Sequence, residues 1–264
     1  MGRRSGWKQI GWLASLCVFL LLQACQHSLE TERKKQVKEQ KLSKAAGYNT
    51  QLGLAYLKQG DTPRAKRKLL YALQMEPNSP DVNVAMAYFL EKTGDVDEAK
   101  NYYSKALSLA PNDGSQLNNY GTFLCRSGKY KEAERYFLKA VNDVHYIHSA
   151  GAYENAGLCA SAIPDLAKAE HYFTKALEQD PHRRQSLVEL VTLEIKQNDP
   201  SKALKILQKY QEMALNDPSL LALAVDAAHK AEKADMEDFY KQRLGRFTNN
   251  VAGEKNDYEH NSNG

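Results

Sequence analysis

From Ala46 onward, apolar residues return to the same places in successive rows of about 34 residues. Row one starts at Ala46, carries Leu52-Gly53, Tyr56, Ala65, Leu69 and Ala72, and closes on Pro77. Row two starts at Pro80, carries Met86-Ala87, Leu90, Ala99, Tyr103 and Ala106, and closes on Pro111. Row three, from Gly114, has Tyr120-Gly121, Leu124, Ala133, Phe137 and Ala140; it is two residues longer and lacks the closing proline. Row four, from Ala150, has Ala156-Gly157, Ala169, Phe173, Ala176 and Pro181. Two looser rows follow from Arg184 (Leu187, Leu190, Ala203, Leu207) and Pro218 (Leu221, Ala224, Ala228). Three- and four-residue spacing of apolar positions predicts two amphipathic helices in each row. Gly60, Gly94 and Gly128 fall where the first helix ends, because glycine accepts left-handed backbone there. Pro77, Pro111 and Pro181 stop the second helix.

This period and these residue types resemble the tetratricopeptide repeat. The resemblance implies an all-α fold, a right-handed superhelical solenoid of about six antiparallel helix pairs, at 46–79, 80–113, 114–149, 150–183, 184–217 and 218–247. Small residues at the eighth and twentieth positions (Gly53 with Ala65, Gly121 with Ala133) let the two helices cross closely, and the twenty-fourth position fills the space between repeats. Segment 248–264 has almost nothing to bury and reads as a disordered tail.

The chain before the repeats reads as an address. Arg3, Arg4 and Lys8 precede an apolar run from Ile10 to Leu22, shorter than the roughly 20 residues of a spanning helix. That pattern is a secretory signal over 1–24. Leu22-Gln23-Ala24-Cys25 resembles the lipobox of bacterial lipoproteins, which implies acylation of Cys25 and cleavage before it. Gln26, rather than Asp, follows, which by the same resemblance implies the outer membrane. Residues 25–45 are then a lipidated, charged tether.

Charge argues against a nucleic-acid partner. The net charge is +4, but Arg3, Arg4 and Lys8 belong to the signal, and without them 33 basic residues face 32 acidic ones. The basic residues read as interleaved with acidic ones along helical faces, and no nucleic-acid motif is present. No phosphate loop, nucleophile elbow or metalloprotease motif is present. His145 and His148, three apart in the lengthened row, read as solvent-facing loop residues rather than metal ligands. The chain therefore reads as no enzyme, with no metal and no cofactor besides the acyl chains on Cys25.

Binding is the better reading. In tetratricopeptide proteins the first helices line a groove, and the family's groove positions map onto Leu54 and Leu57 in row one and Val84, Ala85 and Tyr88 in row two. They map onto Asn118, Asn119, Thr122 and Arg126 in row three and onto Glu154, Asn155 and Leu158 in row four. The groove is thus apolar at its start and polar in the middle. It suits an amphipathic helix or an extended segment, with Asn119 and Asn155 bonding the partner's backbone. Leu54 and Leu57 have a second reading, packing against the tether or a neighbouring helix. Cys125 and Cys159 fall on the first helices of rows three and four. They read either as a disulfide, favoured outside the cytosol, or as two small buried apolar residues.

Signal, lipobox, short tether and six repeats together resemble the pilotin lipoproteins of type IV pilus biogenesis, the PilF/PilW family. The resemblance implies binding to the secretin, the outer-membrane pore of the pilus, and promotion of its localisation and multimerisation. A general envelope scaffold, serving outer-membrane protein assembly or a peptidoglycan enzyme, is the alternative.

Overall fold

The computed structural model describes residues 6–163 and 165–260, with side chains described for Glu30, 32–163 and 165–247. The described residues form helices and connecting turns, in two compact units, Met1–Leu109 and Ala110–Gly264. The first contains α1 (Gly6–Lys58), α2 (Thr62–Met75), α3 (Pro80–Thr93) and α4 (Val96–Leu109). The second contains α5 (Gly114–Arg126), α6 (Tyr130–Val141), α7 (Ser149–Ser161), α8 (Leu166–Gln179), α9 (Arg184–Lys196), α10 (Pro200–Lys209), α11 (Gln211–Ala214), α12 (Pro218–Lys230) and α13 (Ala234–His260).

Within each unit the helices pack as successive pairs, and the row boundaries read from the sequence coincide with helix starts. Pro80, Gly114, Arg184 and Pro218 are the first residues of α3, α5, α9 and α12. The second helix of each of the first four pairs buries the twentieth, twenty-fourth and twenty-seventh residues of its row. Ala65, Leu69 and Ala72 do this in α2 and Ala133, Phe137 and Ala140 in α6. Between paired helices the left-handed position is held by Gly60, Gly94 and Gly128 (φ 80°, 96° and 77°), and later by Asn198 and Glu232 (φ 62° and 53°). The second helices α2, α8 and α10 start on aspartate caps: Asp61 accepts from Arg64 N at 3.0 Å, Asp165 from Lys168 N at 3.2 Å and Asp199 from Lys202 N at 2.9 Å.

Three features go beyond the row pattern. First, the segment 25–45, read as a tether, is helical and belongs to α1, which runs unbroken into the first repeat. The stretch from Glu30 to Lys44 contains no Gly or Pro and is rich in Glu, Lys and Gln, good helix formers, and Lys34 pairs with Glu30 at 2.7 Å one turn away. Poverty in apolar residues removes a core, not a helix. Second, α13 continues to His260, into the part read as a disordered tail; no proline interrupts Thr248–His260, so helix propagates from the packed part at one hydrogen bond per residue. Third, the fifth pair ends in an extra turn, α11, where the row lacks a proline until Pro218. The signal segment, Cys25 and residues 261–264 lie outside the described side chains.

Candidate partner-binding surface

In the first unit, α1 and α3 pack together and place four of the expected groove residues on adjacent first helices. Leu54, Leu57 and Val84 are half-buried and Tyr88 is 36% exposed, with the Lys92 ammonium 5.4 Å from its ring centroid. Ala85 is buried and belongs to the core instead. The tether does not cover this face, since it is the continuation of α1 itself.

In the second unit the corresponding side chains are mostly spoken for. Asn155 donates from Nδ2 to Asn118 Oδ1 at 3.0 Å, which commits one of its two N–H groups within the unit. Its neighbour Glu154 joins the fourth and fifth pairs: Arg183 Nη2 donates to Oε1 at 2.6 Å, and Ser186 N and Oγ donate to Oε2 at 3.1 and 2.8 Å. Thr122 Oγ1 donates to Asn118 O at 2.8 Å. Asn119 is half-buried. Helix register explains the outcome: neighbouring first helices lie side by side, and short polar groups at matching heights meet each other before they meet a ligand.

Cys125 on α5 and Cys159 on α7 are joined by a disulfide with Cα atoms 5.8 Å apart, two turns beyond Asn118 on α5 and one turn beyond Asn155 on α7. The two-residue extension between them is held by its own anchors. Asp143 accepts from Gly114 N at 2.8 Å and from His145 N at 3.0 Å, which holds its carboxyl below the usual range. The Tyr146 ring lies against Gly114, where a Cβ would meet it at 2.4 Å. His145 sits 3.5 Å from Asp143 Oδ1, and among the described residues no group of three or more His, Cys, Asp or Glu could hold a metal.

Ion pairs continue the locking along the second helices. Lys168 is 2.9 Å from Glu134, which also accepts from the Tyr172 hydroxyl at 2.5 Å. Burial disfavours the Glu134 anion, but these two donors outweigh it and hold the carboxyl below its ordinary range. Burial and that same carboxylate push Tyr172 up. In the next pair Lys202 lies 2.6 Å from Glu170 and 3.0 Å from Glu194. Glu194 is 1% exposed and burial raises it, the Lys202 contact being an ion pair rather than a well-aligned hydrogen bond.

The fold and its repeats define a tetratricopeptide-repeat protein. One profile described as tetratricopeptide repeat matches residues 56–119 and 165–225 and a second matches 114–143, together more than half of the chain, which belongs to that family. Within it, the chain is homologous to the type IV pilus biogenesis proteins PilF and PilW. It is 29% identical over 197 residues to the type IV pilus assembly protein PilF of Pseudomonas aeruginosa, covering 75% of this chain and 78% of the relative. The solved structure of Pseudomonas aeruginosa PilF matches with a TM-score of 0.63, over 78% of this chain and 93% of that one. PilW, described as a widely conserved type IV pilus biogenesis factor, matches at 26% identity and a TM-score of 0.62, over 75% of this chain and 91% of that one.

Proposed function

We propose that this protein is an outer-membrane lipoprotein, acylated at Cys25, that binds the type IV pilus secretin and promotes its localisation and multimerisation. It acts as a scaffold, without catalysis. Homology to PilF and PilW supports the pilus role. The observation that carries the binding mode is the contrast between the units. Leu54, Leu57, Val84 and Tyr88 form an apolar face on α1 and α3, and none of them is fully buried, whereas Asn118, Glu154 and Asn155 are engaged within the second unit. A secretin segment with apolar side chains at helical or alternating spacing fits the first unit.

The test is Leu54→Glu with Tyr88→Glu in a strain otherwise competent for pili, beside Cys25→Ser. The groove variant should keep its helicity and melting temperature while secretin multimers fall sharply. The anchor variant should lose palmitate labelling and leave the outer-membrane fraction. Normal multimers with a folded groove variant would refute the binding mode; a labelled, membrane-bound Cys25→Ser protein would refute the anchor.

A further inference from the structure

The first repeat lacks a predecessor, and its exposed end is not polar. At the third and seventh positions of the later first helices the side chains are buried: Val82 and Met86 are each 3% exposed, and Leu220 and Ala224 are 0% and 1%. The matching residues of α1, Tyr48 and Leu52, are 69% and 44% exposed. On α2, Tyr71 is 46% exposed. Its counterpart Lys105 reaches back to the Pro77 carbonyl of the preceding repeat at 2.7 Å, so Tyr71 belongs to the same open end. Terminal repeats ordinarily turn a polar face to water. This one turns two tyrosines and a leucine.

The apolar end continues into a basic stripe. Lys34, Val37, Lys41, Lys44, Tyr48 and Leu52 follow one another along α1 at three- and four-residue steps, which places them on one side of the helix. Glu32 and Glu39, seven apart, fall on the other side; Glu30 is paired to Lys34. α2 adds Lys66, Arg67 and Lys68, Arg64 being paired with Asp61, and itself contains no carboxylate. The near-neutral total therefore conceals a segregation. Residues 32–76 hold 11 Lys and Arg against 4 Asp and Glu, while residues 77–264 hold 22 against 27. The expectation of evenly interleaved charge fails for the first repeat.

The geometry points to an anionic phospholipid surface as the occupant of this face. Cations followed by aromatic and aliphatic side chains on one side of a helix are the composition of an interfacial helix, with ammonium groups at the phosphates and the rings at the headgroup level. The stripe also lies on the same continuous helix as Cys25, so an acyl anchor there would deliver it to the bilayer. A second copy, whose last helix α13 exposes Phe239 beside Asp235 and Asp238, is the competing occupant, and the vesicle and crosslinking arms of the test separate it from phospholipid. On this reading α1 runs along the lipid surface beyond Cys25 rather than standing on it as a stalk. The groove residues Leu54 and Leu57 are on the opposite side of α1 and remain open to a protein partner, so the inference does not depend on which protein that is.

The test uses the mature chain, beginning at acylated Cys25 and therefore without tryptophan, with Tyr48→Trp, reconstituted into vesicles of phosphatidylcholine alone or with phosphatidylglycerol. The indole should shift its emission to the blue and be quenched by brominated acyl chains in the anionic vesicles only. The effect should disappear in 0.5 M salt and in Lys34→Gln/Lys41→Gln/Lys44→Gln, with about a fivefold loss of surface partitioning for each cation removed, and return with Lys→Arg at the three sites. A Phe239→Trp probe in the same background should stay water-like. Equal signals in neutral and anionic vesicles, or a water-like indole in both, would overturn the inference. So would a photo-crosslinker at Tyr48 that captures protein and no phospholipid in cells.

Discussion

Gly157 lies against the Phe173 ring so closely that a Cβ would stand 2.6 Å from Cε1. Phe173 is fully buried, so its ring cannot swing away into solvent. The Gly157→Ala change should therefore cost about 1–3 kcal/mol through overpacking, despite alanine's better helix propensity. Gly47, also helical but exposed with nothing within 4 Å of its Cβ position, should respond in the opposite sense. There Ala should stabilise by up to about 1 kcal/mol. Urea melts of both variants check the sign reversal, and a stabilised Gly157→Ala would show that the helix crossing is looser than described.

Glu232 occupies a left-handed turn with φ 53°, where earlier repeats use glycine. Replacing it by Gly should raise stability by about 1 kcal/mol, because a Cβ is strained in that region. Asn198→Gly, at φ 62°, should gain less, since asparagine tolerates the conformation. Thermal melts decide the ranking; a destabilised Glu232→Gly would mean that the carboxylate makes a contact worth more than the strain.

Much of this architecture can be read directly from the rows. Residues such as Ala65, Leu69 and Ala133 had to be packing residues, since small and large types alternate in step with the helical period, and the structure buries all three. The polar part of the groove was less legible. Glu154 and Asn155 occupy positions that face a ligand in related proteins, yet their partners Arg183 and Asn118 are 29 and 37 residues away in sequence. Such pairings depend on the register between neighbouring helices, which a single row does not reveal. The open end at Tyr48 and Leu52 could have been found by comparing the third and seventh positions down the rows and noting that the first row keeps apolar residues without a repeat to cover them. The helicity of residues 30–45 rests on Glu, Lys and Gln propensity with almost no packing, so the apolar pattern alone leaves it open.

Two carboxylates should give opposite pH responses. Glu134 is held below its ordinary range in the folded protein, so its contribution is present at neutral pH and lost as pH falls through the folded value. Glu194 is raised, so its contribution is fully present below the ordinary glutamate range and declines as pH rises through the folded value. Glu134→Gln should consequently look worst against the parent near pH 7 and recover toward acid pH. Glu194→Gln should compare most favourably near pH 7 and least favourably toward acid pH. Denaturant midpoints from pH 3 to 7 test the pair, and parallel curves would contradict both assignments.

Exported protein should carry the Cys125–Cys159 bond. Mass spectrometry of unreduced material should find neither thiol free; two alkylatable thiols would sink the prediction. Reduction, or Cys125→Ser with Cys159→Ser, should lower stability by about 3–4 kcal/mol if restriction of the unfolded chain dominates.

That covalent link also fixes how the molecule bears a pulling force. Tension applied at the two ends of the chain would pass from α5 to α7 through the sulfurs, across 5.8 Å between Cα atoms, and bypass the 34-residue separation that contains α6 and the Asp143–Tyr146 loop. At roughly 3.3–3.6 Å per extended residue, about 110–120 Å of contour length would stay hidden until the bond is reduced. α6 would thus be insulated from end-to-end stretching in the oxidised protein and exposed to it in the reduced one.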